Sequence, residues 1–197
     1  MGRLAIFIDG GYIDRISRDE FKTRPDYGKL SAAITAEVGG RSTEAVELLR
    51  TLYYHCLPYQ SAHPTPDEAK RYGQARAFMN ALGRLPRFEV RLGRLAHRGF
   101  DANGKPILQQ KRVDLLLGLD FALLAGKHQI SHAVVLSGDS DLLPAVEAAK
   151  QEGVCVWLVH GPERSRVDGK STYARELWDA VDERVEITQV FMDGVAR

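Results

Sequence analysis

The stretch that decides the fold is Val134-Val135-Leu136-Ser137-Gly138-Asp139-Ser140-Asp141. Its apolar residues end abruptly in a turn of small residues that carries two acids, which is typical of a buried parallel strand and the loop after it. In open α/β sheets, ligands bind in the crevice outside the carboxyl ends of the strands. We therefore expect Asp139 and Asp141 to lie at a ligand-binding edge of a parallel sheet.

Other apolar runs of strand length alternate with helical patterns along the chain. The predicted strands are residues 4–8, 52–57, 88–95, 134–138, 154–159 and 185–187. The predicted helices are residues 12–18, 29–38, 66–82, 113–125, 142–151 and 171–178. This alternation predicts a single α/β domain over residues 1–197, with a mostly parallel, doubly wound sheet and flanking helices. Asn103-Gly104 is a hairpin-turn signal, so a small hairpin insertion near residues 95–108 is also expected.

Some expectations concern the details of individual elements. Residues 21–28 are expected to form a loop, and Gly39-Gly40 is expected to end the preceding helix. Residues 42–49 are expected to form a short helix or a lead-in to the next strand. In the 88–95 strand, Val90 and Leu92 are expected to face the core. The 113–125 helix is apolar almost all round, so we expect it to be buried on most sides.

Composition restricts the function classes only weakly. The chain has 197 residues and a net charge of +1, so its overall charge does not indicate an acidic or a basic partner. Cys56 and Cys155 lie in apolar runs, which predicts core thiols rather than a disulfide framework or a zinc site. No apolar run reaches the length of a membrane span, and the first residues lack a signal-peptide pattern. We therefore expect a cytoplasmic protein.

Acids recur at three separated points of the predicted fold. Asp9 follows the first strand, Asp114 begins an apolar helix, and Asp139 and Asp141 follow a later strand. Each has an alternative interpretation: Asp9 as a turn residue, Asp114 as a helix N-cap, and Asp139 or Asp141 as the cap of the next helix. Asp120 does not share a helix face with Asp114, so we interpret it as a structural residue or as one that supports the ligands from behind, and not as a ligand itself.

Several carboxylates held close together repel one another and must be protonated or neutralised. Mg²⁺ takes oxygen ligands, keeps several waters and uses only a few protein carboxylates. Such an ion can generate hydroxide and stabilise the displacement at a phosphate. The acids therefore favour a shared Mg²⁺ site at this edge of the sheet.

Three blocks of the sequence resemble the signature blocks of NYN domains, which belong to the PIN-like nuclease superfamily. The blocks are Ile8-Asp9-Gly10-Gly11, Lys111-Arg112-Val113-Asp114 and Leu136-Ser137-Gly138-Asp139-Ser140-Asp141-Leu142. The resemblance implies a PIN-like Rossmannoid fold, ribonuclease-type phosphodiester cleavage and a Mg²⁺ or Mn²⁺ site made by the same four acids. Two residues depart from the family pattern: Tyr12 stands where such domains often carry Asn, and Arg112 stands where a Gly is usual.

The segment from residue 84 to residue 112 is strongly basic. It holds eight Lys and Arg residues against two acids, a local charge of +6. Such a strip suits a polyanion backbone, although a solvated strand face and hairpin would give the same pattern. The residues that we assign to substrate binding are Tyr12, Ser137, Arg91, Arg94, Lys111 and Arg112. A thinner basic cluster, Arg164, Arg166 and Lys170, lies in the loop after the 154–159 strand.

The sequence thus leads to one main hypothesis for function: a metal-dependent ribonuclease, with endonucleolytic cleavage of RNA favoured over exonucleolytic cleavage. In this hypothesis Asp9, Asp114 and Asp139 hold the metal, and Asp141 completes the site or orients an attacking water. The alternative is a catalytically weak or inactive NYN-domain protein that binds RNA or regulates it. A phosphatase with Asp9 as nucleophile is less favoured, because Gly11 stands where a second acid is needed. The oligomeric state stays open, and a homodimer is one possibility.

Overall fold

The computed structural model describes residues 1–101 and 106–197, and for residues 97, 100, 106 and 108–110 it describes the backbone alone. The predicted Asn103-Gly104 turn lies outside the described residues. No helix in the described ranges is both long and apolar enough to cross a membrane.

Strands and helices alternate along most of the chain. The strands are β1 (Gly2–Asp9), β2 (Val46–His55), β3 (Phe88–Leu92), β4 (Arg94–Phe100), β5 (Pro106–Lys111), β6 (His132–Leu136), β7 (Cys155–His160) and β8 (Glu183–Glu186). The helices are α1 (Gly10–Ile16), α2 (Tyr27–Arg41), α3 (Pro66–Leu82), α4 (Val113–Gly126), α5 (Leu143–Gln151), α6 (Arg175–Ala180) and α7 (Gln189–Gly194). A π-helical turn (Ser17–Phe21) extends α1, and a 3₁₀ turn (Ser140–Leu142) precedes α5.

The main sheet has six parallel strands in the order β3-β2-β1-β6-β7-β8. The prediction of a mostly parallel α/β sheet is therefore confirmed. β1 lies in the centre between β2 and β6, and Ile8 is in register with Leu136. This pairing places Asp9 and the loop after Leu136 next to each other at the carboxyl edge of the sheet.

The predicted hairpin insertion is present as a separate antiparallel pair, β4 and β5. The strand predicted over residues 88–95 is split at Gly93, where β3 ends and β4 begins. A Cβ at Gly93 would lie 2.6 Å from Cγ2 of Val113 and 2.7 Å from the carbonyl oxygen of Lys111. The chain therefore needs glycine to turn away from the main sheet this close to the start of α4.

Side chains that alternate along β1 enter two hydrophobic cores. Leu4, Ile6 and Ile8 pack on one face of the sheet with residues of α1, α2, α3 and α7. Ala5 and Phe7 pack on the other face with residues of α4, α5 and α6. This period of two follows from strand geometry, and burial on both faces explains why β1 is apolar throughout.

The prediction for the α2 region is wrong at both ends. α2 begins at Tyr27 because the side chain of Asp26 accepts the Lys29 N–H at 2.9 Å and caps the helix. It continues through Gly39 and Gly40 to Arg41, whose guanidinium lies 4.8 Å from the Trp157 ring and anchors the last turn. Residues 46–49 already belong to β2, so no helix forms between α2 and that strand.

The prediction that residues 113–125 are buried on most sides is also wrong. Leu117 and Phe121 are fully buried, whereas Leu115, Leu119 and Leu123 are 69%, 50% and 45% exposed. α4 packs against the sheet on one side, and no further layer of the described residues covers its outer face. Leu92, expected to face the core, is 42% exposed because it ends the edge strand β3.

The two faces of α4 predict a sharp contrast in stability. Leu117→Ala should lower the free energy of unfolding by about 2–5 kcal/mol, because it leaves a cavity in the core. Leu115→Ala should change it by less than about 0.5 kcal/mol, because that side chain stands mostly in solvent. Urea denaturation of both variants measures the difference. Equal losses would contradict the described packing of α4.

Candidate active site

A polar cleft lies at the carboxyl edge of the sheet, and we call it the acid cleft. Its volume is about 410 Å³, and it is lined by Asp9, Gly11, Tyr12, Arg15, Asp114, Gly138, Asp139, Ser140 and Ala174. These residues come from the ends of β1 and β6, the starts of α1 and α4, and the segment before α6. The structure therefore brings together three of the acids that the sequence analysis singled out.

Asp9 both caps α1 and lines the acid cleft. Its Oδ1 accepts the backbone N–H groups of Gly11 at 2.9 Å and Tyr12 at 3.1 Å, and its Oδ2 accepts the Ser137 hydroxyl at 3.3 Å. Burial raises the pKa of Asp9, and the nearby Asp114 carboxylate raises it further. The turn interpretation and the site interpretation are therefore compatible, because a single carboxylate serves both.

Asp114 lies in the first turn of α4, in the electrostatic reach of the other acids. Asp114 is exposed at the cleft, and partial desolvation raises its pKa, with repulsion from Asp139 and Asp141 adding to the effect. Asp114 is not the N-cap of α4, because Arg112 occupies that position and makes no side-chain cap. Asp114 is therefore available to a ligand.

Asp139 and Asp141 have different local roles. Asp139 is the N-cap of the 3₁₀ turn, and its Oδ1 accepts the Asp141 N–H at 3.0 Å. Both side chains are exposed, but only Asp139 lines the acid cleft. The helix α5 has no side-chain cap, so Asp141 does not serve as one.

The acids fit a partly hydrated divalent cation better than a fully protein-bound one. Within residues 1–101 and 106–197, no three or more His, Cys, Asp or Glu side chains stand close enough together to hold a metal ion. Mg²⁺ nevertheless needs only one or two carboxylates, because it keeps several waters. Desolvation raises the pKa of Asp9 and of Asp114, and repulsion from neighbouring acids adds to it, so a cation in the cleft would favour the charged forms of both.

Ser137 and Tyr12 support the acid cleft mainly from below its surface. Ser137 is fully buried and links two acids, because its hydroxyl donates to Asp9 and accepts the Asp139 N–H at 3.3 Å. This burial corrects the assignment of Ser137 as a substrate contact and makes it a positioning residue. Tyr12 is 5% exposed, and its hydroxyl accepts the Gly161 N–H at 2.9 Å, so that hydroxyl is already engaged.

Gly138 closes the cleft against the segment before α6. A Cβ at this position would lie 2.5 Å from the carbonyl oxygen of Thr172 and 2.6 Å from Cε2 of Tyr12. The Gly138 carbonyl also accepts the Ala174 N–H at 2.8 Å. The glycine in the Ser-Gly-Asp block is therefore required for close approach of two backbone segments.

The basic residues predicted to bind substrate separate into two groups. Arg91 is paired with Glu89 at 2.6 Å and with Asp120 at 3.1 Å. It lines a different cleft from the acid cleft. This placement removes Arg91 from the phosphate-binding set. Asp120 also accepts the Tyr54 hydroxyl at 2.9 Å, so its carboxylate is engaged by protein partners outside the acid cleft.

Lys111 and Arg112 are exposed just before α4, three and two residues before Asp114. Arg94 is in register with Lys111 across the hairpin. Arg112 has a φ of 74°, in the left-handed region that favours glycine. This left-handed conformation explains why the family pattern usually has Gly at this position.

Arg15 is a cleft residue that the sequence analysis missed. Its guanidinium donates to the Thr172 carbonyl at 3.1 Å and lies 5.3 Å from the centre of the Tyr12 ring. Among the described residues it is the one cation that lines the acid cleft. The sequence does carry a signal for Arg15, which lies on the helix directly after Asp9. A helix that starts directly after a strand-end acid directs its first turns along the same edge of the sheet.

Comparison with known proteins agrees with this arrangement. The family model of the NYN domain matches residues 3–187, which is most of the chain. A search of curated proteins gave no match. The matched region contains the six-stranded sheet except for Gly2, all four acids and the segment that closes the acid cleft. The chain therefore belongs to the NYN domain family, within the PIN-like nuclease superfamily.

Proposed function

We propose that this NYN domain is a metal-dependent ribonuclease that cleaves RNA phosphodiester bonds at the acid cleft. The observation that carries the proposal is the meeting of Asp9, Asp114 and Asp139 in one cleft, from three separate parts of the chain. These three carboxylates repel one another, and the fold alone does not need them to be grouped in one place. The nuclease-like character of the family supports the same conclusion.

Asp9, Asp114 and Asp139 would hold Mg²⁺ or Mn²⁺, directly or through water. When bound, such an ion activates water and neutralises charge on the phosphate. Asp141 is exposed beside Asp139 and would orient the attacking water. Ser137 keeps Asp9 and Asp139 at a fixed separation, and the N–H groups at the start of α1 keep the Asp9 carboxylate in its rotamer.

The phosphate backbone would be held by Arg15 inside the cleft and by Lys111 and Arg112 at its rim. The Arg112 side chain has no hydrogen-bond or ion-pair partner among the described residues, and its backbone adopts a conformation that costs an L side chain about 1 kcal/mol. A free cation in a strained position two residues before Asp114 fits a role in binding an anion. Arg94, in register with Lys111, would extend this basic rim.

A second candidate function is RNA binding without cleavage. The observation that favours it is the lack, in the described part of the chain, of three acids converging on one metal position. The Tyr12 hydroxyl, bound to Gly161, is also unable to replace the amide that the family often carries there. In this candidate function, the basic rim would bind RNA and the acid cleft would not cleave it.

The first prediction separates these two candidates. Asp139→Asn should lower the rate of single-turnover RNA cleavage in Mg²⁺ or Mn²⁺ on the order of 100-fold, because it removes a carboxylate that would hold the metal ion. Asp67→Asn, an exposed acid on α3, is the matched control and should cleave at the wild-type rate. Equal cleavage by wild type and Asp139→Asn would refute the assignment.

The second prediction concerns metal binding without any substrate. Mn²⁺ at ten times its Kd should raise the free energy of unfolding of the wild type by about 1.4 kcal/mol. Asp9→Asn should show no such rise, and without metal it should be at least as stable as the wild type, because it keeps the cap and removes a buried charge. Urea denaturation with and without Mn²⁺ measures both. An equal rise in Asp9→Asn would exclude Asp9 as a ligand.

The third prediction uses the left-handed conformation of Arg112. Arg112→Gly should raise the free energy of unfolding by about 1 kcal/mol while weakening RNA binding severalfold. His128→Gly is the control, because His128 has a φ of 51° at the other end of α4. It should gain stability similarly and bind RNA as the wild type does. Arg112→Gly with unchanged RNA affinity would remove Arg112 from the binding surface.

A further inference from the structure

The outer edge of β3 is open, with space on both faces of the main sheet. β3 is an end strand of that sheet, and within residues 1–101 and 106–197 no other strand pairs with its outer side. A cleft of about 510 Å³ lies beside β3 on the α3 side, and one of about 280 Å³ lies beside it on the α4 side. Such an edge can accept a strand from another molecule, because the side chains of an added strand alternate between the two faces.

The hydrogen bonds to β2 show which backbone groups of β3 face outward. The Arg87 carbonyl accepts the Thr51 N–H at 2.8 Å, and the Gly93 N–H donates to the His55 carbonyl at 2.8 Å. Successive residues of a strand direct their backbone groups to opposite sides, so the odd-numbered residues of β3 face β2. The even-numbered residues therefore direct their N–H and carbonyl groups to the open side.

The sequence of β3, Phe88-Glu89-Val90-Arg91-Leu92, is complementary to its own reverse. In an antiparallel pair of two β3 strands centred on Val90, Glu89 faces Arg91 of the second copy, and Phe88 faces Leu92 of the second copy. No like charges face each other in this register. Because Val90 points its backbone groups outward, the two Val90 residues exchange both N–H···O bonds, as the central pair of an antiparallel ladder does.

The side chains of β3 are only partly used within one chain. Phe88 and Val90 are half-buried against the core on the α3 side, and Leu92 is exposed. Pairing would join these three apolar residues to the same three of the second copy in one continuous row. The Arg91 guanidinium carries five N–H donors, and its ion pairs with two acids of its own chain use only some of them.

The opposite edge of the sheet lacks these features. β8 has the sequence Glu-Arg-Val-Glu, in which a single residue is apolar, and its Glu183 side chain is bound by Arg41. A short, charged edge strand of this kind is typical of an edge that is protected against pairing. The apolar row of β3 is therefore not a general requirement of an end strand in this sheet.

We infer that β3 pairs with β3 of a second copy of this chain, antiparallel and centred on Val90, so that two main sheets join edge to edge. The charge complementarity of Glu89 and Arg91 selects a second copy as the occupant. The twofold axis of this homodimer runs perpendicular to the sheet, so the carboxyl edges of the two sheets face opposite directions. Each copy keeps its own acid cleft, and the inference does not depend on the proposed nuclease activity.

Sedimentation equilibrium of the full chain tests for this homodimer. The wild type should sediment with twice the mass of one chain at high protein concentration. Leu92→Glu should weaken the dimer about tenfold or more, because it places a carboxylate opposite Phe88 at both symmetric positions. Leu115→Glu is the matched control, because Leu115 is a more exposed leucine on α4, and it should leave the dimer intact.

Mixing two charge variants tests the register of the pair. Glu89→Lys makes both charges of the edge basic, and Arg91→Glu makes both acidic, so each variant alone should be monomeric. An equimolar mixture should restore a dimer that contains one copy of each, because the basic edge then faces the acidic one. Circular dichroism and urea denaturation check that each variant is folded before mixing.

Each other outcome would overturn the inference. A wild type that stays monomeric would leave the β3 edge to a strand of another protein. A dimer that persists in Leu92→Glu, or that is lost in Leu115→Glu, would place the interface elsewhere. Charge variants that are folded but stay monomeric when mixed would exclude this antiparallel register, and this mixture decides the matter even if Leu92→Glu does not fold.

Discussion

The parallel pairing of β1 with β6 is the constraint on which the rest of this structure depends. It sets Ile8 beside Leu136, so both strands end at the same level and deliver Asp9 and Asp139 to one place. Both strands are buried on both faces, so a shift of register would expose apolar side chains. The position of the acids is therefore fixed by hydrophobic packing and not by any attraction among them.

Holding these acids together has an electrostatic cost, which the surrounding residues reduce only in part. Backbone N–H groups of α1 and the Ser137 hydroxyl bind the Asp9 carboxylate, and Arg15 supplies one positive charge to the cleft. For Asp114, a hydrogen bond from its own backbone N–H does not offset desolvation and repulsion, and its pKa is raised. Such an unrelieved excess of negative charge is a feature of sites built for a cation or for proton transfer. It is the physical reason for the functional proposal.

The segment before α6 forms one side of the acid cleft. It is held by the Gly138 carbonyl, the Tyr12 hydroxyl and the Arg15 guanidinium, and these residues follow directly from the two strand ends that carry acids. The chain that leaves each of these acids therefore also fixes this side of the cleft. Tyr12 has two roles in this arrangement, because its side chain lines the cleft and its hydroxyl binds the loop after β7.

The sequence by itself determined the α/β class, the strand-end acids and the family, because strand periodicity, glycine turns and short motifs are local properties of the chain. Only the tertiary structure decided which charges meet. Arg91 is diverted to Asp120 and Glu89, Ser137 is buried, and Arg15 enters the acid cleft. The outer leucines of α4 are exposed for a similar reason: an apolar pattern does not tell which faces a neighbouring layer covers. These outcomes depend on partners distant in sequence, which local patterns do not encode.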